Sequence, residues 1–98
     1  MESNVIIDKI VPDTSVVIEG LLSEKLRHEH IKANSIIIHE AVVAELEHQA
    51  NMGKAIGFLG LDELKRLKEL SLQKEFDISY KGTRPKAAEI RHASLGEI

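Results

Sequence analysis

Residues 5–15 carry the chain from an apolar strand into a helix around a single carboxylate, and this junction limits the folds open to it. Val5-Ile6-Ile7 and Lys9-Ile10-Val11 are β-branched runs of the kind that make a buried strand in a parallel sheet, where apolar residues run on rather than alternate. Pro12-Asp13-Thr14-Ser15 follows. From Thr14 to about Leu26 the residues Val17, Ile18, Leu21, Leu22 and Leu26 recur at helical spacing, with Gly20 as a weak point. An acid at the carboxyl end of such a strand faces the crevice where open α/β sheets bind ligands. Asp13 suits a plain helix N-cap equally well, accepting hydrogen bonds from the backbone N–H groups that follow it.

The same alternation continues. Ser35-Ile36-Ile37-Ile38 predicts a second strand, and Glu40 opens a helix over 41–50 that stops near Asn51-Met52-Gly53. Residues 54–57 read as a short loop and 61–73 as an amphipathic helix. Leu64, Leu67 and Leu70 form its apolar stripe, with Asp62, Glu63, Lys65, Arg66, Lys68 and Glu69 on the wet side. Residues 76–80 alternate with period two and suit an edge strand, 81–85 a turn, and 86–95 a last helix. The expected fold is α/β with a parallel sheet of few strands, which looks incomplete.

A chain of 98 residues with 43% hydrophobic side chains makes one domain at most. The absence of cysteine excludes disulfides, thiolate metal sites and a cysteine nucleophile. No apolar run approaches a signal-peptide core or a membrane span, so a soluble, cytoplasmic protein is expected, with no membrane partner. The net charge of −3 argues against gripping a phosphate backbone by bulk electrostatics. Phe58, Phe76 and Tyr80, the three aromatic residues, are too scattered for a base-stacking platform.

Several chemistries drop out on spacing. Gly53-Lys54 has no glycine five residues earlier and no Ser or Thr after it, so it is no phosphate loop. His28, His30, His39, His48 and His92 lack zincin spacing and read as surface histidines. Neither Ser15 nor Ser94 sits in a nucleophile elbow. A phosphate-accepting aspartate of the receiver or haloacid-dehalogenase type wants a second acid beside the first or two residues on, where this chain has Thr14 and Ser15. What remains is carboxylate chemistry, in which acids gathered at strand ends hold Mg²⁺ or Mn²⁺. Asp13 then needs a partner. Glu40, Glu45 and Glu47 are on offer, and the stripe through Val42, Val43, Leu46 and Ala50 puts both Glu45 and Glu47 at its flanks without choosing between them.

Pro12-Asp13-Thr14-Ser15, followed about thirty residues later by Val43-Ala44-Glu45-Leu46, closely resembles a PIN domain, the PilT N-terminal type of nuclease. The resemblance implies a three-layer α/β/α fold with a central parallel sheet, truncated here in its C-terminal part. It also implies Asp13 and Glu45 as two of three or four metal-binding, catalytic acids, and Ser15 as the small residue that supports Asp13. Residues 12–20, 37–52 and 56–70 are similar to the N-terminal segment of archaeal PIN-domain ATPases of the Holliday-junction, branch-migration type. Glu45-Leu46-Glu47-His48-Gln49-Ala50-Asn51 and Ile56-Gly57-Phe58-Leu59-Gly60-Leu61 carry that narrower likeness.

That group follows its PIN domain with a RecA-like motor and a KH-like module. Residues 1–98 are therefore expected to be the N-terminal part of a PIN domain within a larger protein. ATP would belong only to the downstream motor, as would hexamer formation, and DNA or RNA would be met by the full-length protein. In the family, the segment resembling residues 93–98 runs on into a third acid, and a later strand supplies a fourth. The expectation is that this chain holds half of a metal site, inactive by itself, with Glu47 and Glu97 as secondary candidates. The implied activity is metal-dependent phosphodiester cleavage. The alternative is a non-cleaving assembly or nucleic-acid-guiding module of a hexameric ATPase, with Phe58, Leu59 and Leu61 available for subunit contacts.

Overall fold

Three parallel strands in the order β1-β2-β3 organise the computed structural model, which describes residues 5–82. The β-branched run makes β1 (Val5–Ile10), and β2 (Ile31–His39) pairs with it in parallel, Ile10 opposite Ile36. On the other side of β2 lies β3 (Asp77–Lys81), with Ile36 opposite Ile78 and His39 opposite Lys81. β2 is five residues longer than the four-residue apolar core suggests. Its first half, Ile31-Lys32-Ala33-Asn34, lacks an apolar run but is drawn into the sheet by pairing with β1.

Parallel pairs need crossovers, and helices supply them. The first crossover contains α1 (Thr14–Glu19) and α2 (Leu21–Arg27). The single helix expected over 14–26 is broken at Gly20, which takes a left-handed conformation (φ 74°) and donates its N–H to Val17 O at 3.2 Å, closing α1. The second crossover contains α3 (Glu40–Asn51) and α4 (Ala55–Lys74).

All four helices contribute to one core. Ile36 and Ile38 of β2 pack with Val17, Leu22, Leu26, Val42, Leu46, Leu64, Leu67, Leu70 and Phe76. Towards the carboxyl ends of the strands the register puts Lys9, Ser35, Ile37 and Ser79 on the face opposite Ile36 and Ile38. Burying each of Leu46 and Leu67, both fully enclosed, contributes roughly 1.5–3 kcal/mol.

Two expectations need correction in α4. Residues 54–57 are not a loop, because the helix begins at Ala55. The glycines that weaken a helical reading there, Gly57 and Gly60, are buried where α3 comes closest: a Cβ on Gly57 would meet Leu46 O at 2.7 Å and collide with Ala50 N, and one on Gly60 would collide with the Leu46 side chain. Glu63, placed on the wet side by periodicity, is fully buried. It accepts hydrogen bonds from Ser23 N (2.9 Å) and Ser23 Oγ (2.6 Å) at the first turn of α2, and Arg66 pairs with it at 3.3 Å. A side chain forty residues away thus caps α2, whose own Gly20 has none to offer. The edge strand and the stop after Ala50 fall where expected, while the last helix over 86–95 lies outside the described residues.

Candidate metal centre

The carboxyl ends of β1 and β2 lie side by side, and each passes almost directly into a helix. Asp13 stands at the first of these ends and His39 at the second. Pro12 is buried, while Asp13 beyond it is exposed. Asp13 caps α1: its Oδ1 accepts from Val16 N and from Ser15 Oγ, each at 3.0 Å. The Val16 N–H, then the Ser15 hydroxyl, hold the Asp13 carboxyl below its ordinary value. The N-cap reading is therefore satisfied, with Ser15 in support.

Replacing Asp13 by alanine removes the cap and should lower the urea unfolding midpoint. The pH dependence has a definite sign. A carboxyl whose folded pKa is depressed stabilises the fold above its unfolded value, near 3.8, and that contribution is lost as pH falls through the folded value. The deficit of Asp13→Ala should thus be constant near neutrality and shrink only below about pH 4.

Glu45 is reached from the second strand end. It is the sixth residue of α3, about 8 Å along the axis from the helix start, near the middle of the helix. The stripe Val42-Glu45-Leu46-Gln49 is entirely buried, because α3 is wedged against β2, α4 and α1. Burial separates the two candidates that periodicity left equal: Glu45 is only 7% exposed, whereas Glu47 is half-buried. Glu45 Oε2 accepts from Gln49 Nε2 at 2.7 Å, and its Oε1 is buried without a hydrogen-bond partner. Thr14 Oγ1, next to Asp13, is another buried polar atom without a partner.

An orphaned carboxylate oxygen inside a protein needs a water or a cation. The donor set fits a hard divalent cation, for which carboxylate oxygens are the usual protein ligands. Asp13 and Glu45 are the acids that the family resemblance assigns to one. Among the described residues no group of three or more His, Cys, Asp or Glu side chains is placed to bind a metal, and Glu97 lies outside them.

The neighbouring rim adds residues that the sequence did not single out. His39, read as a surface histidine, is exposed but caps α3: its Nδ1 accepts from Ala41 N at 2.9 Å, which leaves the ring proton on Nε2. Gly82, with φ 94°, lies against that ring. Burial, then the Glu40 carboxylate, pushes the Tyr80 phenol above its ordinary value. Gln49 is the clearest omission, and its i,i+4 spacing from Glu45 was the available signal.

Strand ends bearing acids on a parallel α/β sheet define a class of phosphate- and metal-handling domains, and comparison with known proteins narrows it. The PIN-domain family model matches residues 10–98, and the chain belongs to the PIN-domain family. It is 44% identical over 97 residues, 99% of its length, to a KH and PIN-domain containing protein of Methanocaldococcus jannaschii. It is 39% identical over 62 residues, 63% of its length, to the Holliday junction branch migration ATPase PINA of Sulfolobus acidocaldarius. The chain spans only 15% and 12% of those two relatives. A solved domain of a functionally unknown protein from M. jannaschii superposes with a TM-score of 0.81 at 45% identity, covering 92% of this chain and 64% of that one. The α/β PIN-like fold and the likeness to a PIN-domain ATPase agree with the sequence reading. Among the described residues, no helix is long and apolar enough to cross a membrane.

Proposed function

We propose that this chain supplies part of a divalent-metal centre for cleaving nucleic-acid phosphodiesters, within a larger ATPase whose motor would bind the ATP and form the oligomer. The observation that carries the proposal is the buried, unpartnered Glu45 Oε1 on the helix that follows β2. Membership of the PIN family and likeness to a Holliday junction ATPase support it. Mg²⁺ or Mn²⁺, when bound, polarises the scissile phosphate and lowers the pKa of an attacking water. Asp13, at the end of β1, and Glu45, on the helix that follows β2, would be the protein's ligands to it. Ser15 and Val16 N–H keep Asp13 ionised and fix its orientation, and Gln49 fixes the position of one oxygen of Glu45.

The test is cleavage of labelled single-stranded DNA, RNA and junction DNA in Mn²⁺ by the full-length protein. Asp13→Asn should reduce metal-dependent cleavage at least a hundredfold. Equal activity in the mutant would place the chemistry elsewhere.

A second reading, an assembly module that does not cut, has its own observation. Met52, Ile56, Phe58 and Leu59 are exposed around the start of α4, whereas Leu61 is partly buried against the core. On that reading a second copy covers the patch, and Phe58→Ser should weaken self-association of the full-length protein in sedimentation while leaving cleavage, if any, unaltered.

A further inference from the structure

Gln49 follows Glu45 by one turn of α3, and both side chains are more than nine-tenths buried, at 9% and 7% exposure. Gln49 Nε2 donates to Glu45 Oε2 at 2.7 Å. The direction of this bond is set by charge, since the reverse amide orientation would place an oxygen against the carboxylate. Gln49 Oε1 is left buried without a partner, as is Glu45 Oε1. Buried amides normally satisfy both ends, so a glutamine here is a poor choice for packing alone. An apolar side chain of its size would fill the space beside Leu46 with no orphaned atom.

We infer that Gln49 is a positioning residue for Glu45. Its amide engages one carboxylate oxygen, holds the side chain in a single rotamer and leaves Oε1 as the oxygen presented to a cation. Outer hydrogen bonds to metal-binding carboxylates orient them and tune affinity in this way. The inference rests on the metal-binding reading of Glu45.

Mn²⁺ binding to the chain, measured by calorimetry and by the metal-induced shift of the thermal midpoint, separates the two ideas. Gln49→Met keeps the volume but leaves Glu45 Oε2 without its donor, so its metal-free midpoint should fall, and Mn²⁺ affinity should fall about tenfold. In a Glu45→Gln background the same change should have no further effect on Mn²⁺ affinity. Gln49→Asn, which draws the amide back by one methylene, should weaken binding similarly and serves if the methionine variant does not fold. Wild-type affinity in Gln49→Met, or an equal loss with and without Glu45, would overturn the role of Gln49 alone. Unchanged affinity in Glu45→Gln would overturn the metal reading and this inference together.

Discussion

Gly57→Ala should destabilise the domain by about 3 kcal/mol, although helix propensity alone predicts a gain of about 1 kcal/mol. Gly57 lies in the first turn of α4, and its φ is not in the left-handed region, so the backbone would accept alanine. The obstacle is α3. A Cβ would collide with Ala50 N and come within 2.7 Å of Ala50 Cα and Leu46 O, all backbone atoms that cannot rotate away. The helices would have to separate, loosening Leu46 from its fully enclosed position. Urea unfolding midpoints read the sign directly. Gly53→Ala is the contrast: it has open space around a Cβ but a φ of 75°, so it should lose only about 1 kcal/mol from backbone strain. A Gly57→Ala variant as stable as the wild type would mean that α3 and α4 do not approach as described.

Removing Glu63 should be comparably damaging. Glu63→Ala strips the acceptor from Ser23 N and Ser23 Oγ, leaves Arg66 without its buried partner and opens a hole beside the α1–α2 junction. Leaving the two buried Ser23 donors unsatisfied costs about 1–3 kcal/mol for each of them. For a chain of this size each kcal/mol is worth about 4–8 °C in the thermal midpoint, so the drop should be about 10 °C or more. Ser23→Ala removes only the hydroxyl bond and should cost about 1 kcal/mol. If the two substitutions prove equal and small, the capping of α2 from α4 is wrong.

Glu63 also marks where sequence reading stops. Its neighbours Asp62 and Arg66 are exposed as the amphipathic pattern requires, and nothing local distinguishes it from them. Its burial depends on the start of α2 arriving from forty residues away. The loop expected over 54–57 fails for a related reason: Gly57, a poor helix former by propensity, here permits helix contact. Features set by short-range periodicity were legible, among them β1, the Leu64-Leu67-Leu70 stripe, the weak point at Gly20 and the parallel α/β order. Asp13 was legible in one respect, because both of its readings needed it at a strand end before a helix. Glu45 and Glu47 were separable only by three-dimensional burial. Resemblance to the PIN family, more than spacing, pointed to Glu45.

The proposed function requires a single cation to be drawn to Asp13 and Glu45. Adding small amounts of Mn²⁺ to ¹⁵N-labelled chain and recording amide spectra tests this, because the paramagnetic ion broadens the signals nearest to it. Broadening should be strongest at residues 13–15 and 45–49 and be lost in Asp13→Asn. Uniform broadening, or broadening centred on exposed acids such as Glu24, Glu29 or Asp62 and unaltered in the mutant, would contradict it.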